Sequence, residues 1–126
     1  MSATFDAPLL ESVRDTGTVR IETRRAHDGP VRMTPIWVVV DDSDRVLVRS
    51  VRGGRGRWYQ DLLANPIGAL VVGAARIGVR ADLARDPERV EACTRALRAK
   101  YAGAGASLAS MVMPDVLDCT LELLPD

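Results

Sequence analysis

The chain has 126 residues, of which 47% are apolar and 27% are charged, values typical of a globular protein and unlike those of a disordered segment. Seventeen basic residues balance seventeen acidic ones, so no global charge attracts the chain to nucleic acid or to an anionic membrane. This length predicts one domain over residues 1–126 that buries its core without a disulfide or a metal.

The first part of the chain predicts one helix and three strands. An apolar stripe predicts a short helix over Asp6–Asp15, and strict alternation predicts a half-buried strand over Thr18–Arg24. The turn chemistry of Ala26–Pro30 joins this strand to a second one over Val31–Asp41. The second strand contains a continuous β-branched run, which indicates burial on both faces, and a turn of aspartates connects it to a strand over Arg45–Val51.

The middle of the chain predicts a helix followed by a hairpin. The helix covers Trp58–Ala64 and ends at Asn65, because proline disfavours helical geometry in the residue before it. Two strands follow, over Ile67–Ala75 and Ile77–Leu83, with the turn between them around Gly73–Arg76.

The last third of the chain predicts one firm helix and a final strand. Asp86 is a good N-cap, which predicts a helix over Pro87–Tyr101. Ala102–Pro114 is compatible with a loop or a short helix, and alternation predicts a strand over Val116–Leu124. Six strands with short turns and no regular strand–helix alternation predict an α+β, mainly β fold: a six-stranded antiparallel barrel with flanking helices.

The segment Arg49–Tyr59 contains four arginines, three glycines and two aromatic residues between a predicted strand and a predicted helix. Glycines allow a sharp backbone turn, a helix N-terminus carries partial positive charge, and guanidinium groups match phosphate oxygens two at a time. The segment therefore indicates a phosphate site, although it matches neither GxGxxG nor GxxxxGK[ST]. The alternative is a solvated loop whose arginines only keep the surface soluble.

The remaining candidate residues give no catalytic set. Trp37 suits the core or a ligand-facing wall, and Trp58 suits an anchor for its helix or a stacking surface. His27 lies alone in a turn, which predicts a surface residue, and Cys93 and Cys119 have the apolar neighbours of reduced core residues. No group of residues has the spacing needed for acid/base, nucleophilic or metal chemistry.

Targeting signals are also missing from the sequence. Its start lacks the basic-then-apolar pattern of a secretion signal, and the longest mostly apolar run, Pro66–Ala75, is too short to span a bilayer. We therefore expect a cytoplasmic protein.

The order of these parts resembles a known superfamily. A strand with Thr34–Trp37, a strand ending at Arg49–Ser50, a basic glycine loop and a short helix before Asn65–Pro66 are similar to the split β-barrel proteins of the pyridoxamine 5'-phosphate oxidase-like superfamily. The resemblance covers roughly Thr18–Leu83. Further segments resemble a small uncharacterised family within it: Trp37–Val40, Val48–Gly53, Gly56–Tyr59, Arg98–Tyr101, Met111–Pro114 and Thr120–Leu121.

The resemblance implies a flavin (FMN) or deazaflavin (F420) cofactor, an oxidoreductase activity and a homodimer with the ligand between subunits. It implies that the cofactor phosphate is held by Arg49, Ser50, Arg52, Arg55 and Arg57. It implies that the ring is lined by Thr34, Pro35 and Trp37, with Trp58 as a further candidate. The usual spaced Ser-x-Lys/Arg element of the superfamily is replaced here by the glycine-rich, arginine-rich loop.

Two other classes stay open at this point. A cofactor-free split barrel that binds a partner through its surface fits the scarcity of catalytic groups equally well. A small barrel that binds single-stranded nucleic acid through arginines and aromatic residues is the third, but the zero net charge and few aromatic residues disfavour it.

Overall fold

The computed structural model describes residues 4–126. It contains four α-helices: α1 (Ala7–Asp15), α2 (Arg57–Ala64), α3 (Pro87–Lys100) and α4 (Ala106–Met111). It contains seven strands: β1 (Thr18–Arg24), β2 (Val31–Trp37), β3 (Val39–Val40), β4 (Val46–Arg49), β5 (Ile67–Val72), β6 (Ala75–Ala84) and β7 (Thr120–Pro125). Short 3₁₀ helices at Gly53–Arg55 and Pro114–Cys119 complete the chain.

The seven strands form one antiparallel sheet in the order β2-β1-β5-β6-β7-β4-β3. Its two edge strands, β2 and β3, are consecutive in the chain and only Val38 separates them, so the sheet curls back on itself. The single strand predicted over Val31–Asp41 is therefore two strands with a break at Val38. The predicted antiparallel, mainly β barrel with flanking helices is confirmed, with seven strands in place of six.

The core lies on both faces of the curled sheet. Val38 belongs to the inner cluster with α1 and α2, and Val39 packs with Cys93 and Leu97 of α3 in a second cluster outside. The β-branched run is thus covered on both faces, as predicted. Cys93 and Cys119 are free and buried, also as predicted.

Two predicted boundaries are wrong. The strand predicted over Val116–Leu124 begins only at Thr120, because Pro114 opens a 3₁₀ helix that continues to Cys119. The turn predicted around Gly73–Arg76 is shorter, because Ala75 and Arg76 already pair with β5 and Gly73 turns in the left-handed region at φ 59°. The undecided stretch Ala102–Pro114 contains α4.

Across residues 4–126, every helix is too short or too polar to cross a membrane.

Candidate functional site

The basic loop opens onto a cleft of about 430 Å³, which we call the arginine cleft. Its walls come from β2, from the loop after β4 and from the start of α2. Its lining residues are Arg32, Met33, Thr34, Pro35, Ser50, Val51, Arg52, Gly56, Arg57 and Trp58. The structure therefore brings the strand segment and the basic loop of the sequence prediction to one place.

Two glycines give the basic loop its shape. Gly53 lies in the left-handed region at φ 60°, where a glycine carries little strain. At Gly56 an added Cβ would collide with the hydroxyl oxygen of Ser50. Ser50 is itself buried, and its hydroxyl donates a 2.8 Å hydrogen bond to the carbonyl of Gly53. Ser50 thus holds the loop closed.

The loop leads directly into the N-terminus of α2, where positive charge accumulates. Gly56 is the N-cap, makes no side-chain capping bond, and is followed by a first turn without an acidic residue. Arg57 stands in that first turn, where the helix dipole disfavours a cation. Arg52 and Arg57 are exposed, and neither makes an ion pair or a side-chain hydrogen bond within residues 4–126. A bound anion would stabilise this arrangement.

A second cleft of about 420 Å³ adjoins the first, and we call it the tryptophan cleft. It lies between the end of β2, the end of β4 and α4. Its lining residues are Thr18, Pro35, Ile36, Trp37, Arg49, Val51, Trp58, Ser107, Ser110 and Met111. Pro35, Val51 and Trp58 line both clefts. Among the residues that the structure describes, no aspartate, glutamate, histidine or cysteine lines either cleft.

Arg49 lies in the wall of the tryptophan cleft, apart from the other arginines of the loop. It is only 2% exposed and donates to four neutral oxygens, all from distant parts of the chain. The acceptors are Oγ1 of Thr120 (2.8 Å), Oγ1 of Thr94 (2.9 Å), the carbonyl of Met111 (3.1 Å) and the carbonyl of Val90 (2.9 Å). Burial lowers the pKa of this guanidinium, but an arginine stays charged. Arg49 is therefore a fixed, buried cation that ties β4 to α3, β7 and the end of α4.

Trp37 forms one wall of the tryptophan cleft and is held from behind by α3. Its ring stacks on Tyr101, with centroids 3.9 Å apart and planes within 4°. The same end of α3 supplies hydrogen-bond partners to the backbone of Val38, where the strand is broken. The N–H of Val38 donates to the Tyr101 hydroxyl, and the carbonyl of Val38 accepts from Nζ of Lys100 at 2.7 Å. The half-buried Trp37 thus packs against Tyr101 on one side and lines the tryptophan cleft on the other.

Lys100, the only lysine in the sequence, also donates to the carbonyl of Val13 at 2.8 Å. Burial lowers its pKa to about 8, and nearby Asp15 offsets only part of this effect. The pKa of an unfolded lysine is about 10.4. Below pH 8 Lys100 is charged in both the folded and the unfolded protein, so the full cost of burying its charge lowers the stability of the fold. Between these two pKa values the unfolded state binds more protons, so stability rises with pH.

We therefore expect the Lys100→Met variant to lose this pH dependence. Urea unfolding of both proteins from pH 7 to pH 9.5 should show the free energy of unfolding of the wild type increasing relative to the variant above pH 8. Parallel curves over the whole range would contradict the lowered pKa. The remaining titrating groups are common to both proteins and cancel in the difference.

The structure places the predicted site residues unevenly. Thr34, Ser50, Arg52 and Arg57 line the arginine cleft, Trp37 and Arg49 line the tryptophan cleft, and Pro35 and Trp58 line both. Arg55 is exposed and lines neither cleft.

The aromatic pair and the lone histidine have separate roles. Trp58 and Tyr59 are buried in the inner core, so both anchor α2, while Trp58 also faces the clefts. His27 is exposed, as predicted, and residues 4–126 contain no cluster suited to a metal.

The sequence prediction missed several lining residues. Arg32 and Met33 stand on β2 just before the predicted segment, and α4 contributes Ser107, Ser110 and Met111. The strand alternation around Thr34 is the signal that would have indicated Arg32, because residues two apart on a strand share a face. No local pattern indicates α4, whose position depends on tertiary packing.

Residues 9–123 match the family described as "Uncharacterized protein conserved in bacteria (DUF2255)". The chain belongs to this family. No curated protein matches the chain in sequence. Membership in DUF2255 by itself assigns no activity.

Three solved structures share the fold over nearly the whole chain. A Listeria innocua protein provisionally assigned as a pyridoxamine 5'-phosphate oxidase has a TM-score of 0.66 and 10% identity, covering 94% of this chain and 91% of its own. The haem storage protein HutZ of Vibrio cholerae has a TM-score of 0.64 and 12% identity, and the match covers 98% of this chain and 91% of HutZ. An F420-H2 dependent reductase has a TM-score of 0.59 and 16% identity, and the match covers 98% of this chain and 99% of the reductase. These structures confirm the predicted split-barrel fold, and the DUF2255 match confirms the predicted resemblance to an uncharacterised family.

Proposed function

We propose that the chain binds FMN or F420 across the two clefts and acts as an oxidoreductase. The observation that carries this proposal is the shared wall of Pro35, Val51 and Trp58, which joins a cationic cleft to an aromatic one. A flavin-type cofactor needs this combination, because its planar ring requires an apolar wall while its phosphate requires fixed cations several ångströms away. The fold shared with an F420-H2 dependent reductase supports the same class of ligand.

The residues divide into two groups under this proposal. Arg52, Arg57 and the N-terminus of α2 hold the phosphate, and Ser50 keeps the loop that carries them in place. Thr34, Pro35 and Trp37 line the ring, with Trp58 between the two parts of the ligand. Tyr101 positions Trp37 through their stacked rings.

The cofactor, when bound, supplies hydride transfer. The chain offers binding, orientation and electrostatics, because the side chains that line the clefts include no general acid or base of ordinary pKa near neutrality. The buried cation of Arg49 places positive charge in the wall of the ring site. Such a charge favours a ligand that is or becomes anionic there.

The test is direct binding to the purified protein. Titration with FMN and with F420, followed by cofactor fluorescence, should show saturable binding of one of them. Riboflavin, which lacks the phosphate, should bind at least about tenfold more weakly than FMN, because it loses charge-assisted hydrogen bonds to the arginine cleft. A protein that changes the spectrum of neither cofactor would overturn the proposal.

One observation favours a second candidate, a cofactor-free scaffold. Arg49 and Ser50 already satisfy their hydrogen bonds within the protein, so two of the predicted ligand-holding residues have structural roles of their own. If the protein is a cofactor-free scaffold, it binds neither FMN nor F420, and replacing Arg52 and Arg57 leaves this unchanged. Binding of FMN and F420 to the wild type and to variants of Arg52 and Arg57 separates it from the flavin proposal.

We also propose that the chain forms a homodimer through the face that carries β2. β2 is an edge strand of the sheet, and Met33 and Val51 beside the arginine cleft are 40% and 50% exposed. Covering this apolar face with a second copy would enclose the clefts between subunits.

Light scattering coupled to size exclusion should therefore give twice the chain mass. Met33→Glu should shift the protein to the monomer, because it places a charge in the interface. Met113→Glu is the matched control, because Met113 is 52% exposed and lines neither cleft, and it should leave the dimer intact. A monomeric wild type at micromolar concentration would contradict the dimer.

A further inference from the structure

Asp61 of α2 is a buried carboxylate at the centre of an ionic cluster. Its side chain is 2% exposed and accepts hydrogen bonds from Oγ1 of Thr23 at 2.8 Å and from Nε of both Arg25 and Arg32 at 2.9 Å. Burial opposes ionisation, but these three donors outweigh it and the pKa of Asp61 lies below its ordinary value. Asp61 is therefore ionised and fixed in place.

The two arginines of this cluster have different surroundings. Arg25 also donates from Nη2 to Oε1 of Gln60 at 3.2 Å, and it does not line the arginine cleft. Arg32 uses Nε alone, and its Nη1 and Nη2 make no hydrogen bond within residues 4–126. Its side chain is 40% exposed and lines the arginine cleft. One edge of this guanidinium is thus held and the other edge is available.

The position of Arg32 follows from the hairpin and from α2. Arg32 lies opposite Thr23 in the β1–β2 pairing, and both contact the same carboxylate. Asp61 therefore ties the wall of the arginine cleft formed by β2 to the wall formed by α2. A guanidinium whose Nε is anchored presents Nη1 and Nη2 as a preorganised fork for an oxyanion.

We propose that Arg32 is a third cation of the anion site, and that Asp61 acts as its positioning residue. The inference rests on the proposed function and adds to it a residue from β2, whereas Arg57 stands on α2. The ligand group is a phosphate or another oxyanion that accepts two parallel hydrogen bonds from the free edge. Two arginines share the single negative charge of Asp61, so the cluster keeps a net positive charge that a ligand at the free edge of Arg32 can use.

Arg25→Gln and Arg32→Gln form a matched pair, since each removes one Nε donor from the same carboxylate. We expect Arg32→Gln to weaken binding of the cofactor that the wild type binds, FMN or F420, at least about tenfold, the loss expected for charge-assisted hydrogen bonds. Arg25→Gln should change this affinity less than about twofold. Asp61→Asn should weaken binding by an intermediate factor. Arg32→Lys, which keeps the charge but not the fork, should recover part of the affinity.

Thermal stabilisation by inorganic pyrophosphate provides a second readout that needs no flavin. The wild type and Arg25→Gln should gain melting temperature with pyrophosphate, and Arg32→Gln should gain much less. Equal responses of the two variants to FMN and pyrophosphate would overturn the role of Arg32. If the wild type binds pyrophosphate through Arg32 but neither FMN nor F420, the proposed function fails and the anion site stands. If the wild type responds to none of these ligands, both proposals fail.

Discussion

Replacing Arg49 with methionine is expected to lower the free energy of unfolding by about 2–4 kcal/mol, a large fraction of the stability of a domain this size. The variant leaves buried oxygens on Thr120 and Met111 without the donor that joins them to the Arg49 side chain. Removing a buried charge recovers some desolvation energy, so the net loss is smaller than four separate hydrogen bonds would give.

Urea denaturation of Arg49→Met measures this loss. Arg57→Met is the matched control, because Arg57 is exposed and unpaired in the described part of the chain and should change stability by no more than about 0.5 kcal/mol. Arg49→Lys should also be destabilised, since an ammonium cannot reach acceptors on both sides of a planar fork. A stability of Arg49→Met equal to that of the wild type would show that the buried cation has no structural role.

The double variant Arg52→Ala, Arg57→Ala is expected to weaken binding of FMN, or of F420 if the wild type binds only F420, by about 100-fold. Each arginine contributes charge-assisted hydrogen bonds to the phosphate, and losing one such contact costs about tenfold in affinity. The fold should be unaffected, because both side chains are exposed and make no bonds within residues 4–126. Fluorescence titration gives the affinities, and circular dichroism with urea unfolding checks the fold.

Arg55→Ala provides the control for this double variant. Arg55 belongs to the same loop and is also exposed, but it lines neither cleft. We expect its FMN affinity to stay within about twofold of the wild type. If Arg55→Ala and the double variant lose the same affinity, the basic loop attracts the ligand only through its total charge, and the arginine cleft is not the phosphate site.

The structure divides the predicted basic loop into parts with different roles. Arg52 and Arg57 line the arginine cleft, Arg49 is buried in the wall of the tryptophan cleft, and Arg55 faces solvent. Residue type and spacing in the sequence do not distinguish these four arginines. Only the acceptors around Arg49, which lie on α3, α4 and β7, separate it from the others.

Three features of the protein stay predictions: the single domain over residues 1–126, the cytoplasmic location, and the ligand-holding roles of the residues that line the clefts. The binding of FMN, F420, riboflavin and pyrophosphate tests the last of these most directly.

The sequence by itself determined the elements whose signals are local. Alternation defines β1 and its buried face, Asp86 caps α3 by accepting from the N–H of Arg89, and Asn65–Pro66 ends α2. These signals involve neighbours within one turn or one strand, where geometry follows from the backbone alone. The resemblance to a split-barrel superfamily then indicated the type of barrel, and the order in which the strands pair came from the structure.

Tertiary structure alone decided which side chains meet. Arg32 reaches Asp61, Trp37 stacks on Tyr101, and Arg49 joins β4 to helices far along the chain. No periodicity encodes such pairs, because each depends on how a curled sheet brings distant segments together. The chemistry of the site therefore became visible only when the fold placed an anchored guanidinium, a helix N-terminus and an aromatic wall around adjoining clefts.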